Sequence, residues 1–219
     1  MIAIRSLVPA LLVLALAGCS TPPRNPAATA ALGVLASEAG LHEKARACQE
    51  LAVFGGSDAV PALAALLDQE HLADYARSGL EGIKDPAAGA ALRKALGTLN
   101  GRLLAGVVNS LGVRREIAAL PDLQALAFDA KRGVAEEALA SLGMIGNAEA
   151  KKTLQKMLTD GPADLRIPAA HASIVAAAQL AKDGNLSAAR ELLASVVRSA
   201  PSDHLKTVAQ SQAAALGAN

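Results

Sequence analysis

Few side chains in this sequence could carry out catalysis or bind a metal ion. None of the four histidines has a second histidine or cysteine three or four residues away, as a helical metal site would need. The adjacent carboxylates Glu136 and Glu137 point to different helix faces and so do not form an acid and base pair. The chain also lacks a Gly-x-Ser-x-Gly elbow, a phosphate-binding loop and a haem attachment motif. We therefore predict a protein that is not an enzyme and has no cofactor and no metal. The histidines, interpreted as surface or loop residues, are His42, His71, His171 and His204.

The two cysteines lie in different sequence contexts. Cys48 lies among apolar residues at helical spacing, which predicts a small buried side chain and not a reactive thiol. Cys19 follows an apolar run at residues 7–16, which is shorter than the ~20 residues of a membrane-spanning helix. With Arg5 before that run and small residues after it, residues 1–18 indicate an export signal.

The sequence Leu16-Ala17-Gly18-Cys19 resembles the lipobox of bacterial lipoproteins. The resemblance implies that residues 1–18 are removed and that lipid is attached at Cys19. More than one acyl chain holds a protein stably on a bilayer, so the lipid would attach the protein to the membrane. Ser20 implies the outer membrane, with the protein facing the periplasm, because Asp at that position typically retains such lipoproteins at the inner membrane. Residues 19–29 are proline-rich and are predicted to form an extended tether.

Composition restricts the fold and the partners. Hydrophobic residues make up 52% of the chain, so it can bury a core and is not disordered throughout. Aromatic residues make up only 1%, whereas Ala and Leu are abundant, which favours closely packed helices over a β-sandwich or barrel. The net charge of +1 argues against nucleic acid as a partner, since phosphate binding requires an excess of Lys and Arg.

Leucines recur at constant intervals in two series. Leu63, Leu92, Leu123 and Leu154 are separated by 29, 31 and 31 residues, and Leu51, Leu80, Leu111 and Leu142 show the same intervals. Each repeat therefore contains two short helices, which bury their apolar faces by stacking on the neighbouring repeats. The pattern predicts an all-α solenoid of antiparallel helix pairs. The first helices are predicted at 42–54, 72–83, 102–111 and 131–142, and the second at 58–67, 86–96, 117–127 and 148–158.

Glycines follow several of the first helices, at Gly55, Gly56, Gly112 and Gly143. A helix end commonly requires a left-handed residue, a conformation that Gly adopts without steric cost. These positions are therefore predicted to be helix ends.

The stretch Ser141-Leu142-Gly143-Met144-Ile145-Gly146-Asn147-Ala148 resembles HEAT repeats, in particular the short kind found in the lyases that attach bilins to phycobiliproteins. Fold analogy does not transfer that lyase activity. Residues 30–160 are assigned to the HEAT-like array. In residues 161–219, Leu180, Gly184 and Pro201 are among the positions that resemble half of a tetratricopeptide (TPR) repeat, and 203–216 are predicted to form a capping helix.

The resemblance to HEAT arrays also implies that the second helices line the concave face. Polar residues beside the Leu anchors should then face a partner, and they are Arg93, Lys94, Gln124, Lys152, Gln155 and Lys156. A second group lies near the turns and is expected to bridge neighbouring repeats, with an acidic partner or lipid head groups as the alternative ligand. This group comprises Arg102, Arg114, Arg115, Lys131 and Arg132.

The sequence thus predicts a lipid-anchored scaffold or adaptor that binds another protein of the bacterial envelope. Two alternatives remain open, namely an outer-membrane assembly factor and an accessory subunit of an exported enzyme. No nucleic acid or metal is expected among its partners.

Overall fold

A computed structural model describes residues 25–217 of the chain, and within that range the regular structure is entirely helical. The twelve α-helices are α1 (Pro26–Leu35), α2 (Leu41–Phe54), α3 (Val60–Ala64), α4 (Ala73–Gly82), α5 (Pro86–Ala95), α6 (Gly101–Val113), α7 (Leu120–Phe128), α8 (Ala135–Ile145), α9 (Ala148–Asp160), α10 (Arg166–Lys182), α11 (Leu186–Ser199) and α12 (Asp203–Ala215). The predicted export signal and Cys19 lie outside the described residues.

The helices stack as consecutive pairs, which confirms the predicted all-α, HEAT-like solenoid. The first helices α2, α4, α6, α8 and α10 form one row, in which each packs on the next. The second helices α3, α5, α7, α9 and α11 form the other row. At the two ends of the stack, α1 packs on α2 and α12 packs on α11.

The leucine anchors form the centre of one continuous apolar core. All eight leucines of the two series have 0% of their surface exposed. The register predicted from their spacing is therefore correct. Cys48 is also fully buried, and burial raises the pKa of its thiol to about 11, as expected for a core residue.

Two of the second helices begin later than the pattern predicts. Pro61 and Pro121 stand at the starts of α3 and α7, and each helix is preceded by a short 3-10 turn. Proline has no N–H to donate and fits only the first turn of an α-helix, so it fixes where the helix begins. Similarly, α8 begins at Ala135 and not at residue 131, after Gly133 with a φ of +65°.

The prediction that Gly112 and Gly143 end their helices is wrong. Both residues lie inside helices, in α6 and α8, and their role is close packing. A Cβ on Gly112 would lie 2.7 Å from the Cα of Ser141, and one on Gly143 would lie 2.7 Å from the carbonyl oxygen of Ala172. The left-handed residue after α8 is instead Gly146, with a φ of +55°. Gly55 after α2 has an extended backbone.

The first described helix begins inside the segment assigned to the tether. Asn25 is its N-cap, where the side-chain Oδ1 accepts a hydrogen bond of 2.9 Å from the N–H of Ala27. Pro26 occupies the first helical position, where its missing N–H would have had no helical partner. Proline at this position thus starts α1, so residues 26–29 are helical and the prediction of an extended tether is wrong for them.

Candidate binding surfaces

Arginines near the turns hold neighbouring repeats together, as the sequence predicts. The Nη1 atom of Arg114, after α6, donates to the carbonyls of Leu80 at 2.6 Å and Ile83 at 2.5 Å, at the C-terminal end of α4. Arg132 donates to the carbonyls of Leu96 and Leu99 after α5. These carbonyls have no partner within their own helices, so the arginines act as C-caps supplied by the next repeat.

Arg115 bridges the following repeat in the same way. Its Nη2 atom donates to the carbonyl of Ile145 at 3.0 Å and to the carboxylate of Asp183 at 2.6 Å. The hydrogen bond from Arg115 lowers the pKa of the Asp183 carboxyl. The C-terminal ends of α8 and α10 are thereby tied together.

The first helices α4 and α6 are also linked by an exposed network of ion pairs. Arg102 donates to the carboxylates of Glu70 and Asp74, and Arg77 donates to Asp74 at 2.8 Å. The hydrogen bond from Arg77 is the main reason why the pKa of Asp74 is lowered. Lys131 is exposed and makes no ion pair with any of residues 25–217.

Three residues of the predicted partner-binding group contact the next repeat along the stack. The amide of Gln124 donates to Thr153 Oγ1 at 2.8 Å, and that of Gln155 donates to Ser195 Oγ at 2.9 Å. Arg93 is half-buried, with its Nε 3.9 Å from a carboxylate oxygen of Glu116. These contacts join neighbouring repeats within the stack.

The three lysines of the same group are exposed. Lys152 pairs with Glu149 at 2.8 Å, and Lys156 lies 5.4 Å from the centre of the Phe128 ring. Lys94 lies in two shallow hollows of the second-helix row, which also contain Asp68, Asp122 and Asp129. This face therefore carries charges of both signs.

A further apolar hollow lies on the opposite row, away from the six polar residues that are predicted to face a partner. We call it the α8–α10 groove. It consists of two adjoining cavities of about 600 and 580 Å³, which meet at Met144 of α8 and Val175 of α10. Val113, Ile167 and Val175 are each about half exposed there, at 50%, 46% and 48%. In the sequence, the signal for this surface is a set of apolar residues that do not belong to the buried helical register.

The two ends of the α8–α10 groove differ in charge. Glu136 and Glu137 lie at the end formed by the first turns of α8 and α10, together with His171. Arg115 and Lys182 lie at the end formed by the last turns. Neither glutamate forms an ion pair within the described part of the chain, so both charges are open to a ligand.

The described residues also locate the side chains that the sequence analysis considered for catalysis or metal binding. All four histidines are exposed, in agreement with their interpretation as surface residues. Among the described residues, no three His, Cys, Asp or Glu side chains come together in a way that could hold a metal ion. Within residues 25–217, no helix is both long and apolar enough to cross a bilayer.

The middle of the chain matches a known protein family. Residues 90–174 match the family described as HEAT repeats, a segment that contains α6 to α9 in full and parts of α5 and α10. This match supports a HEAT-repeat protein, and HEAT repeats commonly mediate interactions between proteins. No curated protein matches the chain.

Proposed function

We propose that this protein is a non-catalytic scaffold that binds another protein of the bacterial envelope. The observation that carries the proposal is the stack of helix pairs, which presents two long rows of helices. Polar bridges such as Arg114 and Gln124 maintain the stack, whereas the exposed Lys94 of one row and the α8–α10 groove of the other are not covered by any of residues 25–217. Extended surfaces of this kind suit protein recognition.

The proposal includes attachment to the outer membrane, facing the periplasm. It is supported by the lipobox-like sequence that ends at Cys19 and by Ser20 after it. Replacing Cys19 by Ala should leave the protein unprocessed or move it to the soluble fraction. Membrane fractionation and intact-mass analysis test this. A variant that stays membrane-bound and correctly processed would rule out lipid attachment at Cys19.

The C-terminal helices complete the proposed scaffold. Gly184, with a φ of +86°, turns the chain from α10 to α11, and α12 covers α11 at the end of the stack. We assign this hairpin to a TPR-like unit, on the residues that resemble such a repeat. Its role is to close the array and to provide α10 as one wall of the groove.

Crosslinking in the producing cell, followed by membrane solubilisation and mass spectrometry, tests the scaffold proposal. We expect one dominant partner protein. The change Lys94→Glu tests whether the second-helix row takes part, with Lys84→Glu as a charge-matched control in an exposed loop. Absence of any reproducible protein partner would contradict the scaffold function. An exported enzyme as the partner would indicate an accessory subunit, and envelope-biogenesis proteins would indicate an assembly factor.

A further inference from the structure

We propose that the α8–α10 groove binds one amphipathic helix of the partner protein, antiparallel to α8 and α10, with acidic residues in its first turn and basic residues in its last. The inference rests on the proposed scaffold function and adds the surface and the chemistry of the ligand. It concerns the first-helix row, whereas the sequence predicts binding at the second-helix row.

The floor and wall of the groove have the shape and spacing of a helix-binding surface. Along α10, Ile167, His171, Val175, Ala178 and Lys182 follow each other at intervals of four, four, three and four residues. This spacing places them on one helix face, next to the face that is buried in the core. A partner helix with apolar residues at the same spacing could pack its own stripe against them.

The length of this wall matches a helix of ordinary size. From Ile167 to Lys182, the wall extends roughly 22 Å at 1.5 Å per residue, or about four helical turns. Met144 projects into the middle of the groove from α8, where it lines both cavities. Because methionine is flexible, it can adapt to the side chains of a bound helix.

Charge determines the direction of the ligand. Arg115 and Lys182 favour acidic side chains at the end where α8 and α10 terminate, and Asp183 offsets only one of these two positive charges. Glu136 and Glu137 favour basic side chains at the other end. The backbone dipoles act in the same sense, since the C-terminal ends of α8 and α10 attract the N-terminus of a neighbouring helix.

Two synthetic peptides of about 16 residues, each locked in a helix by a hydrocarbon staple, serve as probes. Both carry the same apolar stripe, but one has Glu in its first turn and Lys in its last, and the other has the reverse order. Circular dichroism establishes that their helicity is equal. The receptor is the full chain with Cys19→Ala, labelled with ¹³C at the methionine methyl groups. Met144 reports on the groove, and the fully buried Met157 is an internal reference.

We expect the Glu-first peptide to shift the Met144 resonance and to leave Met157 unchanged. The Lys-first peptide should bind roughly fivefold more weakly, because exposed ion pairs contribute modestly. The change of Glu136 and Glu137 to Lys should abolish this preference, because both ends of the groove are then positively charged. Equal binding of the two peptides, or no shift of Met144 with either, would overturn the inference.

A matched pair of variants separates this inference from the scaffold proposal. Val175→Glu places a charge in the groove, whereas Val53→Glu makes the same change at a 72% exposed position of α2. We expect Val175→Glu alone to lose both the peptide and the partner captured in cells. If both variants capture the partner equally, the scaffold stands and the groove inference fails. Concentration-dependent self-association that only Val175→Glu abolishes would instead assign the groove to a second copy of the chain.

Discussion

At the scale of the residue, Arg115 adopts a backbone conformation that favours glycine. Its φ is +50°, and Gly146 holds the equivalent position 31 residues later, with a φ of +55°. The left-handed conformation costs a residue with a Cβ about 1 kcal/mol. The hydrogen bonds from the guanidinium to Ile145 and Asp183 compensate for this strain.

Two substitutions of Arg115 separate the side chain from the backbone. Arg115→Ala removes the hydrogen bonds and keeps the strain, so we expect it to lower the free energy of unfolding by about 1–2 kcal/mol. Arg115→Gly removes both the hydrogen bonds and the backbone strain. The glycine variant should therefore be more stable than the alanine variant by about 1 kcal/mol. Urea denaturation followed by circular dichroism measures the difference. A glycine variant no more stable than the alanine variant would contradict the assignment of strain.

The same ion pair predicts a dependence on pH. The pKa of Asp183 is lower in the folded state, so the pair stabilises the fold above the pKa of an unfolded Asp. This contribution is lost as the pH falls through the lowered pKa of the folded state. We therefore expect the stability difference between the natural chain and Arg115→Ala to be larger at pH 7 than near pH 3, as measured by urea denaturation. A difference that grows towards acid would contradict the direction of the pKa shift.

At the scale of the element, glycines allow neighbouring first helices to approach closely. Gly143 of α8 faces the backbone of Ala172 in α10, where a Cβ has no room. The position of Gly143 directly after a leucine anchor suggested a helix end. The local sequence is similar whether a glycine ends a helix or packs inside one. The atoms that crowd Gly143 belong to a residue 29 positions away, so only the packed structure identifies its role.

Gly143→Ala should therefore destabilise the protein, although Ala is the better helix former. We expect a loss of about 1–3 kcal/mol from overpacking between α8 and α10. Gly33→Ala in α1 is the control, since a Cβ there has no neighbour within 4 Å. The control should gain up to about 1 kcal/mol from helix propensity. Thermal unfolding distinguishes the two, and a neutral Gly143→Ala would show that α8 and α10 are less closely packed than described.

At the scale of the whole molecule, the leucine repeat predicted the stack but not the side-chain contacts between its repeats. The two leucine series identify the core, because contacts within one repeat and with the next repeat are enough to bury each leucine. The amides of Gln124 and Gln155 were predicted to face a partner, yet they bond to residues 29 and 40 positions away. The α8–α10 groove likewise depends on residues from several helices, whose juxtaposition a linear pattern does not reveal.

Disruption of one anchor should weaken the array. Leu123→Asp buries an unpaired charge between repeats and should lower the free energy of unfolding by at least about 3 kcal/mol. Ile117→Asp is the matched control, because Ile117 is 64% exposed just before the same helix. The control should change stability by less than about 0.5 kcal/mol. Equal effects of the two substitutions in urea denaturation would mean that the register of the stack is incorrect.

Site-specific photocrosslinking in the producing cell tests the central claim, that this array is a protein-binding scaffold. A photoreactive amino acid is placed at His171 in the α8–α10 groove, at Lys94 in the second-helix row, and at the exposed Glu38 as a control. We predict one dominant protein adduct from His171 and none from Glu38, with Lys94 reporting any part played by the other row. If neither row gives an adduct above the control, the chain is not a scaffold of the kind proposed.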